Sequence, residues 1–201
     1  MKSSSISCSQ CRRTGLAGLV FAFGLVAVGG FAAEVVSVEV TRKRKQYFVE
    51  SETFVEAPVE QVYEVLLDYE HYTRLSSTFK ESGYLERNED GSGIVFTKAE
   101  GCILFMCRSM TRVEHLTTVP NQEIALTIIP EQSDLSSGSA EWRLMSEPEG
   151  TRLLYRADME PEFWIPPVIG PIAIKYWLRK GGEGTVRRVE RAALQRVAKS
   201  E

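Results

Sequence analysis

The chain has 201 residues, 43% apolar and 25% charged, with a formal net charge of −3. That is ordinary for one full-sized globular domain and excludes a disordered or collagen-like chain and a pair of large domains. No 20–50-residue period runs through it, which excludes solenoids and propellers.

Residues 1–15 are polar and carry Lys2, Arg12 and Arg13; Leu16–Ala33 is continuously apolar and small; charge returns at Glu34. A basic n-region, an apolar h-region and a small-residue end predict a signal peptide over residues 1–33, cleaved after Ala32 or Ala33. The expected location is the periplasm. Eighteen apolar residues also just span a bilayer, so an uncleaved inner-membrane anchor is the alternative. Gly15 stands where a twin-arginine signal wants a bulky apolar residue, and no Cys follows the h-region as a lipoprotein signal requires.

Residues 1–33 hold three of the 24 bases and none of the 27 acids, which leaves about −6 for the rest. An acidic domain makes a poor nucleic-acid binder, because phosphate contacts supply most of that affinity. The run "RKRK" (Arg42–Lys45) is local. It reads as part of a solvated basic leader, residues 34–45, ahead of the first strand; contact with anionic lipid headgroups is the alternative.

The main domain is read over residues 46–201. Gln46–Glu56 is rich in β-formers and predicts the first strand. Ala57-Pro58 stops it, and Pro58 suits the start of a helix. Val59, Val62, Tyr63, Leu66 and Tyr69 follow at helical spacing. A second short helix or irregular turn fills Asp68–Ser77. "FKESGYLERNEDGSGIVFTKAE" gives two strands about the turn Asn88–Gly91. Ile103–Leu116 reads as one long strand. Glu123–Pro130 alternates Ile124, Leu126 and Ile128. "SSGSAEWRLMSE" puts Gly138, Ala140, Trp142 and Leu144 on one face, and "TRLLYRADME" puts Leu153, Tyr155 and Ala157 opposite Arg152, Arg156 and Asp158. A long helix, about Val168 to Lys199, ends the chain. Strand, helices, six strands and a terminal helix form an α+β layout with an antiparallel sheet covered on one face.

Cys102 and Cys107 follow the apolar segment. In a straight strand, residues five apart face opposite sides and lie about 16 Å apart. A disulfide needs Cα atoms within about 7 Å. The two can pair only if the chain turns or bulges between them; two free thiols are the alternative.

"VEAPVEQVYEVLLDYEHYTRL" resembles the strand–Pro–helix opening of the START-like (SRPBCC) superfamily. "GSAEWRL…EGTRLLYRADMEPEFWIPP", followed by a terminal helix, resembles its last hairpin and lid. The resemblance covers about residues 46–198 and is to the polyketide cyclase/dehydrase and coenzyme Q-binding branch. It implies a helix-grip fold: a curved antiparallel sheet around a long C-terminal helix, with an apolar cavity between them. It implies a hydrophobic ligand and, in a minority of members, cyclase, hydrolase or dehydratase chemistry. Export departs from the better-known cytosolic and mitochondrial members and points from a respiratory quinone toward periplasmic lipid handling.

Catalytic signals are sparse. His71 and His115 are far apart and read as exposed or capping, with no metal-ligand spacing and no cofactor implied. No HExxH, CxxC or Gly-x-Ser-x-Gly occurs. Among Tyr155, Arg156, Asp158 and Glu160, alternation turns only Tyr155 inward. On the resemblance, Phe96, Phe105, Leu126, Trp142, Leu144, Leu153 and Tyr155 line the concave sheet. Ile169, Ile172, Ala173, Tyr176 and Trp177 close it from the helix. Phe163, Trp164 and Ile165 form the mouth, where a lipid enters or a membrane touches. Each also reads as plain core. Gly181, Gly182 and Gly184 weaken the terminal helix and mark a kink, a close approach or a hinge. The expected function is binding or carrying a lipid, quinone or polyketide-like molecule. A cyclase/dehydratase enzyme and an envelope protein-interaction module are the alternatives, and oligomeric state stays open.

Overall fold

The computed structural model describes residues 34–103, 106–165 and 167–200, with side chains for all of these except 102, 103, 106, 169, 177, 180 and 200. The signal peptide or anchor expected at 1–33 lies outside the described residues. Eight strands form one antiparallel sheet: β1 (Glu34–Lys43), β2 (Gln46–Val55), β3 (Phe79–Arg87), β4 (Gly93–Ile103), β5 (Met106–Val119), β6 (Glu123–Ile128), β7 (Leu135–Glu147) and β8 (Gly150–Pro161). The helices are α1 (Val59–Leu66), α2 (Tyr72–Leu75) and α3 (Ile169–Ser200). The strand order is β1-β2-β8-β7-β6-β5-β4-β3. Strands β3 to β8 form a meander, and β2 then pairs with β8, so the two ends of the domain are stitched together inside the sheet. This is the expected helix-grip α+β class.

Two expectations are corrected. Residues 34–43 are an edge strand rather than a solvated leader, and Arg42–Lys45 becomes the tip of the β1–β2 hairpin, with Arg44 in the left-handed region at φ +56°. β-Formers Val35, Val36, Val38 and Val40 explain the strand. The single strand expected from Ile103 to Leu116 is two: β4 ends at Ile103 and β5 begins at Met106. That hairpin sets Cys102 directly opposite Cys107, and Cys107 is disulfide-bonded. The turn that pairing required is therefore present.

The Asn88–Gly91 turn holds as read: Gly91 has φ +83°, and the Ser92 N–H donates to Asp90 Oδ1 at 2.9 Å. Ala57-Pro58 ends β2, and the Thr151 hydroxyl from β8 donates to the Ala57 carbonyl at 2.7 Å, tying the bend to the sheet. α1 then lays Val59, Val62, Tyr63 and Leu66 on Val55, Leu144 and Leu153 in one core. Full burial contributes about 1.5–3 kcal/mol for each large aliphatic side chain.

α3 is held differently along its length. In its C-terminal half Val189 and Ala193 are buried against the α1 side of the core. Arg196 reaches Asp68 at 2.6 Å and Glu64 at 3.4 Å, Arg188 donates to the Leu75 carbonyl at 3.2 Å, and Glu190 accepts the Glu56 N–H at 3.0 Å. The N-terminal half rests on the sheet edge. Lys175 pairs with Glu39 at 3.0 Å, and a Cβ on Gly170 would lie 2.6 Å from Ile165 and 3.0 Å from the Tyr47 hydroxyl. Gly170 is thus a required close approach.

The later glycines are not all required by packing. The helix runs through them unbroken, and a Cβ on Gly181 meets nothing within 4 Å. Gly181→Ala is expected to raise stability by about 0.5–1 kcal/mol. The urea midpoint checks this; a lower midpoint would show that the glycine is structurally needed.

Candidate functional site

The concave face is built by alternation. Across it run the pairs Leu144–Leu153, Trp142–Tyr155 and Ala140–Ala157, with Ile124 beside Trp142 and Leu126 beside Ala140. Leu126, Trp142, Leu144, Leu153 and Tyr155 are therefore brought together on the face expected of them. Leu144 and Leu153 pack into the α1 core, whereas Trp142 and Tyr155 are partly buried with ring centroids 4.3 Å apart. Beyond that pair the face mixes small residues, Gly138, Ala140 and Ala157, with larger ones, Leu126, Ile128 and Met159.

Beside the tyrosine lies a feature the sequence reading missed. Arg112 and Glu114 of β5 share this face, because Glu114 pairs with Val95 and Ile128, and Arg112 with Thr97. The Arg112 guanidinium donates to Glu114 at 2.5 Å, and Glu114 is only 2% exposed. Burial works against the arginine's charge, but the Glu114 carboxylate outweighs it and holds the guanidinium protonated more firmly than usual. Arg112 Nε is itself buried without a partner, and so is the hydroxyl of Ser82, two strands away in the row Ser82–Thr97–Arg112. Buried polar atoms are nearly always paired, and Arg42 Nε, the Tyr47 hydroxyl and Gln61 Oε1 are unpaired in the same way.

Tyrosines complete the wall. Tyr69 stacks on Tyr72 at 4.4 Å and meets Tyr84 edge-on at 5.6 Å. Tyr72 donates to the Leu66 carbonyl, and Tyr84 to Leu67 at 2.7 Å. Burial pushes the phenols of Tyr69, Tyr72 and Tyr155 upward; for Tyr155 the neighbouring Arg112 partly opposes that shift. They are neutral hydrogen-bonding groups at ordinary pH. Arg112 thus sets a fixed cation beside these neutral phenols.

Other expected site residues fall elsewhere. Phe96 lies on the opposite face of β4 from buried Val95 and Thr97, with its ring against Gly83, so Val95 and Thr97 supply the lining expected of it. Ile172 and Tyr176 are 67% and 62% exposed and do not close the site. The inner line of α3 runs instead through Gly170, Ile174 and Leu178, with Ala173 half-buried. The physical reason is that Ile169–Leu178 is apolar on nearly every side, with Lys175 its one charge, so its pattern fixes the phase poorly. Phe105 and the side chains of Ile169 and Trp177 lie outside the described residues. Phe163 is half-buried beneath the Arg108 guanidinium, 5.5 Å from its ring centroid, Ile165 packs at Gly170, and Trp164 is 75% exposed. His71 is half-exposed and bonds Asp68 at 2.7 Å, and His115 is exposed, as expected. Arg156 and Asp158 face outward, also as expected: Asp158 accepts from Gln46 at 2.9 Å on the convex side. Two surface depressions, of about 430 and 320 Å³, lie on the outer flank of the α3 C-terminus and on the convex face of the sheet.

The sequence matches the polyketide cyclase / dehydrase and lipid transport family over residues 47–199. The chain belongs to that family. Solved structures agree on the fold. The chain superposes with TM-score 0.58 on a STAR-related lipid transfer protein from Xanthomonas axonopodis (12% identity; 77% of this chain, 98% of that one). The Zhui aromatase/cyclase from Streptomyces sp. R1128 gives 0.56 (19%; 76% and 96%). A START superfamily protein from Mycobacterium smegmatis gives 0.52 (21%; 77% and 99%). No curated protein matches the chain in sequence. Family membership supports a hydrophobic ligand or cyclase chemistry.

Removing one member of this pair strands the other's charge. Arg112→Leu and Glu114→Leu are each expected to cost about 3–5 kcal/mol, whereas the double variant costs much less. Urea unfolding of the four proteins checks this; additive losses would show that the two side chains are not coupled.

Proposed function

We propose that the protein is an exported binder or carrier of a hydrophobic small molecule, lipid, quinone or polyketide-like, held between the concave sheet and the N-terminal half of α3. The observation that carries this reading is the buried Arg112–Glu114 pair with Arg112 Nε unpaired, set beside Trp142 and Tyr155. A ligand site of this kind is mostly apolar with a few polar groups that fix orientation. A carbonyl, hydroxyl or carboxylate head would accept from Arg112 while an apolar body lies along Ala140, Ala157 and Gly138. The mouth is Phe163–Ile165, where a membrane would deliver the cargo. The basic n-region and apolar run of residues 1–33 support export, and the disulfide at Cys107 suits an oxidising compartment.

The enzyme reading would use Tyr155 as a proton donor or acceptor. Burial moves that phenol further from neutral pH. Proton transfer works best with a group whose pKa lies near the working pH. The tyrosine therefore suits orientation better than acid–base work.

Organic extraction of the purified protein, followed by mass spectrometry, tests the reading. The expected result is one apolar compound in near-stoichiometric yield, bound about 10–100-fold more weakly by the folded Arg112→Leu/Glu114→Leu double variant, since a hydrogen bond to a charged group is lost. Protein that releases no compound and takes up no fluorescent fatty-acid probe would overturn it.

A further inference from the structure

We propose that one end of the domain docks on anionic lipid surfaces, through the basic tip of the β1–β2 hairpin and an outward apolar row on α3. This deepens the reading above, because cargo would load at this end. It stands on separate observations.

The first is the row itself. The four most exposed large apolar side chains among the described residues are Val168 (76%), Trp164 (75%), Ile172 (67%) and Tyr176 (62%). All four belong to one segment. Val168, Ile172 and Tyr176 recur every fourth residue, so they form one stripe about 12 Å long. The second observation is the tip: Lys43, Arg44 and Lys45 are all exposed, in a domain whose net charge is about −6. The third is their proximity. Gly170, at the start of α3, packs against Tyr47, and Tyr47 pairs with Arg42 at the base of the tip. Arg44 is three residues along the strand from Tyr47, roughly 10 Å. Lys175 already engages Glu39, and Glu162 is the exposed acid beside the row.

A narrow apolar stripe with Trp and Tyr, flanked by lysine and arginine, is the chemistry of a helix lying in a bilayer interface. The aromatic rings sit at headgroup depth and the cations meet anionic headgroups. A protein partner fits less well. One stripe of this length falls well short of the roughly 1,000 Å² that a specific interface needs. A second copy would bring two basic tips together and set like charges against each other.

Sedimentation with phosphatidylcholine vesicles, with and without phosphatidylglycerol, tests this on the full chain. Every variant keeps residues 1–33, so any contribution from that segment is common to all. Binding is expected to rise with phosphatidylglycerol and fall with salt. Replacing Lys43, Arg44 and Lys45 by Gln should weaken it roughly five-fold per residue. Ile172→Ser/Tyr176→Ser should weaken it further, and brominated lipid should quench fluorescence in the wild type but less in Trp164→Ser. These changes are all at exposed positions, and a circular dichroism spectrum confirms folding. Equal vesicle binding by all variants would overturn the proposal. So would unchanged quenching in Trp164→Ser, or a concentration-dependent dimer that Ile172→Ser abolishes while vesicle binding stays absent. Because the assay contains no cargo, it fails independently of the ligand-binding reading.

Discussion

Arg112 and Glu114 stand two residues apart on one strand, both turned into the interior of a curved sheet. Placing two charges there costs several kcal/mol per ion unless geometry and extra hydrogen bonds return it. The surrounding structure reflects that demand. Glu114 is almost fully buried, with the guanidinium directly on it. Tyr69, Tyr72 and Tyr155 crowd the pair as neutral phenols, because burial holds their protons. Yet the arrangement leaves Arg112 Nε and the Ser82 hydroxyl unpaired. A purely structural pair would be better replaced by packed aliphatics, which are often neutral or stabilising at such positions. That polarity at the middle of the concave face is the basis of the proposed ligand contact at Arg112.

The division of α3 follows from the same logic. Its C-terminal half closes the α1 core and is tied by Arg188, Glu190 and Arg196 to groups at the ends of α1 and α2. Its N-terminal half rests on the β1–β2 edge of the sheet. There Lys175 pairs with Glu39, Gly170 packs at Tyr47, and Ile174 and Leu178 are half-buried. An exposed ion pair contributes at most about 1 kcal/mol.

Much of this was legible in the residues. Alternation in the seventh and eighth strands placed Trp142, Leu144, Leu153 and Tyr155 correctly, since a period of two leaves no ambiguity when one face is apolar. Ala57-Pro58 and Asn88–Gly91 marked real breaks because proline and glycine act locally. Other features depend on partners far along the chain. Val35–Val40 needed β2 beside it to become a strand. The β4–β5 hairpin lacks a Gly/Pro/Asn turn signature, so "GCILFMCRS" read as continuous; the opposed cysteines were its one hint. The phase of α3 is hard to read because its first ten residues are apolar apart from Lys175, so little in the pattern distinguishes the outward Ile172 and Tyr176 from the inner line. The alternation of Arg112 and Glu114 with Leu116 on one strand face is a usable signal of buried charge.

The most direct test of the central claim is a crystal structure of the protein as purified from cells that supply its cargo, read at Arg112. An elongated ligand is expected between the concave face and the N-terminal half of α3, with a polar atom within hydrogen-bond reach of Arg112 Nε. A concave face filled by side chains, with Arg112 Nε bonded only to the protein itself, would contradict it.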